Sequence, residues 1–164
     1  MGYSTLTAVD PAALQLKRIL VPVDFSAPSQ QALRYALRFA KQFHAQITLL
    51  HVVKKTAVGS GFADIPSRLD YADEQFSSAE KNLRSLIAPP PTAGSPPIST
   101  AIRSGLPAHE IIEAAKEGDA DLIVIATHGF TGWKHFCIGS TAERVVRAAP
   151  CPVFVVREKE HDFA

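Results

Sequence analysis

No apolar run in this 164-residue sequence approaches the roughly 20 residues that a helix needs to span a bilayer. The N-terminus also lacks a basic segment followed by a hydrophobic core, so a cytoplasmic protein is expected. Charge of one sign is equally scarce. Seventeen Lys and Arg stand against 16 Asp and Glu, and no field favours nucleic acid or an anionic membrane surface. Neither is an expected partner. The two cysteines, Cys137 and Cys151, have no C-x-x-C spacing, and the six histidines are scattered with no pair at ligand spacing, so neither a zinc site nor a redox motif is implied. Cys151, between two prolines, is expected to be a small buried apolar residue. There is no G-x-x-x-x-G-K-[ST] loop, whose lysine would reach the β- and γ-phosphates. Nor is there a G-x-S-x-G elbow to expose Ser140 to His128 and Asp24 as a hydrolytic triad.

What is present is an alternation of apolar strands and amphipathic helices. Lys17 to Asp24 reads as a buried strand, and Ser26 with Pro28 supplies helix-start chemistry beyond it. Ala32, Leu33, Ala36, Leu37, Ala40 and Phe43 follow at helical spacing. Gln46 to Val53 is a second buried strand. Lys54 to about Leu69, with Gly59, Gly61 and Pro66, reads as a loop insertion. A helix from Asp70 to Ile87 presents Phe76, Ala79, Leu83, Leu86 and Ile87 on one face, and the Pro-rich link Pro89 to Pro97 ends it. Ile98 to Arg103 alternates, as an edge strand does. Gly105 and Pro107 start a third helix with Ile111, Ile112 and Ala115 inward, closed by Gly118.

Asp121 to Ala126 is then a short β-branched run of the kind buried on both faces of a parallel sheet. A loop with Gly129, Gly132 and Gly139 follows, and Ser140-Thr141-Ala142-Glu143 has the form of a capping box, so a helix starts at Ser140. Pro152 to Val156 is the last strand. The order βαβαβαβαβ implies an α/β fold with a parallel sheet, right-handed crossovers and helices on both faces. One domain is expected over 17–157, with an N-terminal arm over 1–16 and a tail over 158–164.

A helix start behind a glycine loop offers unpaired N–H groups and the positive end of the macrodipole to a phosphate. Here Ala126-Thr127-His128-Gly129, nine residues, then Gly139-Ser140 resembles the nucleotide-binding signature of the universal stress proteins, G-x2-G-x9-G-(S/T). Ala126 replaces its first glycine; Gly129, Gly139 and Ser140 match. Glu143 to Val153 also resembles that family's closing helix and strand, and the likeness runs from about Lys17 to Arg157.

The resemblance implies a three-layer open sandwich around a five-stranded parallel sheet of order 3-2-1-4-5, with its ligand between strands one and four where the winding reverses. It further implies that Pro22, Val23 and Asp24 line an adenosine pocket, that Val52 touches the base, and that Ala126, His128, Gly129, Gly139, Ser140 and Thr141 lie along the phosphates. The implied ligand is ATP, ADP or AMP, with magnesium or manganese. The implied partner is a second copy, joined through Pro152–Val156. Trp133 and Phe136 are read as packing residues, and Lys134, beside His135, as a surface residue away from the phosphates. Three functions follow: a stress-response regulator switched by nucleotide occupancy, a dimeric interaction module that holds no nucleotide, or a slow ATPase.

Overall fold

A computed structural model describes residues 15–54, 65–87, 94–127 and 138–157, and over 65–72 the backbone alone. These residues form β1 (Arg18–Pro22), α1 (Ala27–Phe43), β2 (Gln46–Lys54), α2 (Ile65–Leu86), β3 (Ile98–Gly105), α3 (Pro107–Glu117), β4 (Leu122–Ala126), α4 (Ser140–Ala148) and β5 (Val153–Val156). The strands make one parallel sheet, as the alternation of strands and helices predicts, in the order β3-β2-β1-β4-β5 that the resemblance implies. Ile19, Val21, Ile47, Leu49 and Val124 face Leu33 and Tyr35 of α1 and Leu83 of α2. Leu20, Leu50, Ile123 and Ile125 face Ile111 and Ala115 of α3 and Val145 of α4. Because the central strands are covered on both sides, their sequences are near-continuous apolar runs, and alternation survives only at β3, an edge.

The reversal of winding falls between β1 and β4, and Asp121 fastens that junction. One of its carboxylate oxygens accepts from the backbone N–H groups of Lys17 and Arg18, at 2.8 Å each. Its own N–H donates to the Arg18 carbonyl at 2.9 Å. Asp121→Ala strands two donors, one of them part-buried. The expected cost is about 1–3 kcal/mol, read as a lower urea midpoint with an unchanged slope. Asp121→Asn, which keeps an acceptor oxygen, is expected to lose less.

Several boundaries differ from expectation for physical reasons. Helix α2 begins at Ile65, not Asp70. Pro66 is its second residue, where the missing N–H is needed by no carbonyl. Phe76, expected inward, is 36% exposed, while Ala79 and Leu83 are buried. Glu74, Gln75 and Ser78 on the same stretch border an open cleft, so this part of α2 has cavity rather than strand beneath it. Phe43 in the last turn of α1 is likewise exposed, and Tyr35, not singled out from the sequence, is buried against Phe154. Gly118 ends α3 at an ordinary φ of −87°, and the left-handed residue is Asp119. Ser26 does cap α1, accepting from Ser29 N–H at 3.3 Å. The capping box at Ser140 does not form: Gly139 is the N-cap, no side chain caps the helix, and Glu143 pairs with Arg147 instead. Cys151 is half-buried. Burial and then the Asp121 carboxylate push its thiol pKa up, so it stays a thiol at neutral pH.

Candidate functional site

Beyond the carboxyl ends of β1, β2 and β4 lies a cleft of about 780 Å³, a volume in the range of small-molecule sites. Pro22, Val23, Asp24, Val52, Ala126, Gly139, Ser140 and Thr141 all line it. Residues far apart in sequence thus meet at one place. His128 and Gly129, and with them Trp133, Lys134, His135 and Phe136, lie outside the described residues.

The wall from β1 is a tight turn. Asp24 Oδ1 accepts from Ser26 N–H at 3.1 Å and from Ser26 Oγ at 2.5 Å. Phe25 between them adopts φ 67°, a left-handed backbone uncommon for a bulky residue and held here by surrounding contacts. Asp24 therefore sets the path from β1 into α1 and borders the cleft at once.

The wall from β4 ends at Ala126, 8% exposed, and Thr127, 5% exposed. Thr127 carbonyl accepts from Gly139 N–H at 2.8 Å, which joins the end of the strand to the start of α4. A Cβ on Gly139 would stand 2.8 Å from that carbonyl, so glycine is required by close approach and not by dihedral angle. Ala126 is not among the residues of positive φ, and an ordinary extended backbone accepts alanine. From Gly139 the chain turns directly into α4, whose first-turn N–H groups at Ser140, Thr141 and Ala142 have no intrahelical acceptor. These residues border the cleft, presenting the positive end of a nine-residue helix to it.

The wall from β2 follows from register. Gln46 N–H donates to Lys17 carbonyl and Leu50 carbonyl accepts from Val23 N–H, so the even-numbered residues of β2 turn their backbone groups toward β1. Val52 continues that parity, but β1 has ended at Pro22. Among the described residues no backbone hydrogen bond joins Val52 to β1. Its N–H and carbonyl lie side by side at the cleft, a donor and an acceptor on one edge.

Sequence reasoning missed His51, Phe25, Thr127 and the polar face of α2 (Glu74, Gln75, Ser78 and Asn82), all of which border the cleft. His51 carried a signal, being the one ionisable side chain inside the apolar run of β2. The α2 residues carried none, since polar residues on an amphipathic helix usually face water.

Among the described residues no helix is long and apolar enough to cross a membrane, and no three His, Cys, Asp or Glu side chains cluster as a metal site. Compared with known proteins, the chain is 33% identical over 152 residues to a universal stress protein of Methanocaldococcus jannaschii, covering 89% of this chain and 85% of that one. Among solved structures it resembles universal stress protein UspA of Lactobacillus plantarum, with a TM-score of 0.76, 32% identity, and 88% and 99% of the two chains covered. A universal stress protein of Archaeoglobus fulgidus in complex with dAMP shares the fold, with a TM-score of 0.53 at 23% identity over 87% of this chain and 99% of that one. The model of the universal stress protein family matches residues 15–157, the span that contains the whole sheet and the cleft, and the chain belongs to that family.

Proposed function

We propose that the protein is a cytoplasmic regulator of the stress response that binds an adenine nucleotide, works by occupancy, and pairs with a second copy through β5. The observation that carries it is the pairing of two complementary ends in one cleft. The α4 N-terminus behind Gly139 suits a phosphate, and the donor and acceptor edge of Val52 suits the amino group and ring nitrogen of adenine. The dAMP held by the Archaeoglobus fulgidus protein, of the same fold, supports an adenine nucleotide as the class. Asp24 and Glu74 bring carboxylates to the cleft; magnesium or manganese would be held by a carboxylate together with the nucleotide's own phosphate oxygens.

Occupancy is preferred to turnover on chemical grounds. Backbone N–H groups bind the ground-state phosphate about as well as the transition state, and uniform binding does not raise the rate of the chemical step. Phosphoryl transfer needs a cation placed on the transferred group and a residue that orients water.

The test is mass spectrometry of small molecules released from freshly purified protein, followed by calorimetric titration of ATP, ADP and AMP and a single-turnover assay with labelled ATP and magnesium. The expected result is a recovered adenine nucleotide, saturable binding, and hydrolysis slower than about one per second, the low end of ordinary enzyme turnover. No bound nucleotide and no heat up to about 1 mM ligand, corresponding to about 4 kcal/mol, would leave the non-binding interaction module as the function. Faster release of phosphate would make the protein an ATPase.

A further inference from the structure

The edge offered by Val52 raises the question of what keeps it open. In a regular parallel ladder the Val23 carbonyl, on the β2 side of the chain, accepts from Val52 N–H and closes one more rung. The Val23 N–H does keep its place in that ladder, donating to Leu50 carbonyl at 2.8 Å. Among the described residues no bond from Val52 N–H reaches the Val23 carbonyl, and His51 Nδ1 lies 2.8 Å from that carbonyl instead. A carbonyl only accepts, so Nδ1 carries the hydrogen and the imidazole is the donor. Phe25 packs on the ring, with centroids 4.4 Å apart and planes at 30°, and the left-handed turn at Phe25 places that aromatic side chain there.

We propose that His51 is a positioning residue that holds the β1–β2 ladder open by one rung. Its side chain occupies the Val23 carbonyl in place of Val52 N–H, and Val52 is thereby kept available to a ligand. The ligand class is a planar heterocycle with an adjacent donor and acceptor, such as adenine. The imidazole itself lies on the opposite face of β2 from the Val52 side chain and need not touch the base. Phe25 holds the ring in place, which gives the strained turn between β1 and α1 a task in the site. Identifying the ligand as an adenine nucleotide rests on the function proposed above, whereas the ladder arrangement does not.

The test has two readouts on the full chain. The first is amide hydrogen exchange at Val52 without ligand. Removing the donor in His51→Leu, or in His51→Phe, which keeps an aromatic ring against Phe25, returns the Val23 carbonyl to the ladder. Exchange at Val52 is then expected to slow at least about tenfold, as for the gain of one backbone hydrogen bond. His51→Asn, whose Nδ2 can reach the position of the imidazole Nδ1, is expected to restore exchange to within about threefold of the wild type. The second readout is AMP affinity, expected to fall at least about tenfold in the Leu and Phe variants and to recover in the Asn variant. Unchanged exchange in both donorless variants overturns the proposal whatever AMP does, as does an Asn variant that behaves like the Leu variant. Slowed exchange in a protein whose wild type binds no AMP sustains the ladder role of His51 and overturns only the nucleotide assignment.

Discussion

A Gly139→Val protein is expected to lose adenine-nucleotide affinity by at least about a hundredfold, or about 2.7 kcal/mol, while remaining folded. The cause is backbone crowding. A Cβ at this position meets Thr127 carbonyl at 2.8 Å, and that carbonyl is fixed because it also accepts the Gly139 N–H. Neither atom can yield as the tip of a flexible side chain would. The turn between β4 and α4 must open instead, and the Ser140 and Thr141 N–H groups swing away from the place where a phosphate would sit. Overpacking of this kind costs about 1–3 kcal/mol of stability, so a thermal melt should still show a cooperative transition. Ala126→Gly serves as the comparison: one methyl at the end of β4, on an ordinary backbone, is expected to alter affinity by less than about tenfold. Calorimetry on the two variants separates the cases. Wild-type affinity in Gly139→Val would remove the α4 N-terminus from the site.

The difference between Gly139 and Ala126 also shows how far the sequence could be read. Four of the five strands, the edge strand β5 included, are legible because a strand packed on both faces is apolar throughout, and β3 because its sequence alternates. Ser26 is legible as a cap because its hydroxyl and the following Pro28 act locally. The S-x-x-E pattern at Ser140 is local too, yet it misleads. The position of the cap is decided by the Thr127 carbonyl, twelve residues away in sequence, which draws Gly139 into the N-cap and leaves Ser140 as the first helical residue. The early start of α2 was obscured in the same way, since Gly59, Gly61 and Pro66 suggest a loop unless Pro66 is known to lie in a first turn.

The site divides along the same line. Pro22, Asp24, Gly139 and Ser140 are expected at the site from the resemblance alone, and all four line the cleft. His51 is not expected there, because its role depends on where β1 stops relative to β2. A sequence does not display register between strands, and a single residue of slip would aim Val52 at β3 instead.

Val155→Lys is expected to convert a homodimer into monomers. Among the described residues strand β5 pairs with β4 alone and lies at the edge of the sheet. Ile123 N–H donates to Pro152 carbonyl and Thr127 N–H to Val156 carbonyl, so the even-numbered residues of β5 serve β4. By parity Val153 and Val155 turn their N–H and carbonyl groups to the open edge. An antiparallel copy related by a two-fold axis through Phe154 matches Val153 with the partner's Val155 and the reverse, and each match exchanges both hydrogen bonds. Exposed Val146 on α4 extends the apolar surface available to that contact. An unprotected edge of this character invites pairing, and Lys at 155 introduces a charge at each of the two matched positions. Lysine also disturbs packing inside the subunit, since Val155 rests against the core on the α3 and α4 face. Val155→Pro isolates the edge: it deletes only the outward N–H and leaves the β4 ladder without a missing donor. Sedimentation at micromolar concentration should give a dimer for the wild type, with association stronger than about 8 kcal/mol, and monomers for both variants. A wild type that sediments as a monomer, or a Val155→Pro protein that remains dimeric, would show that β5 is not the interface.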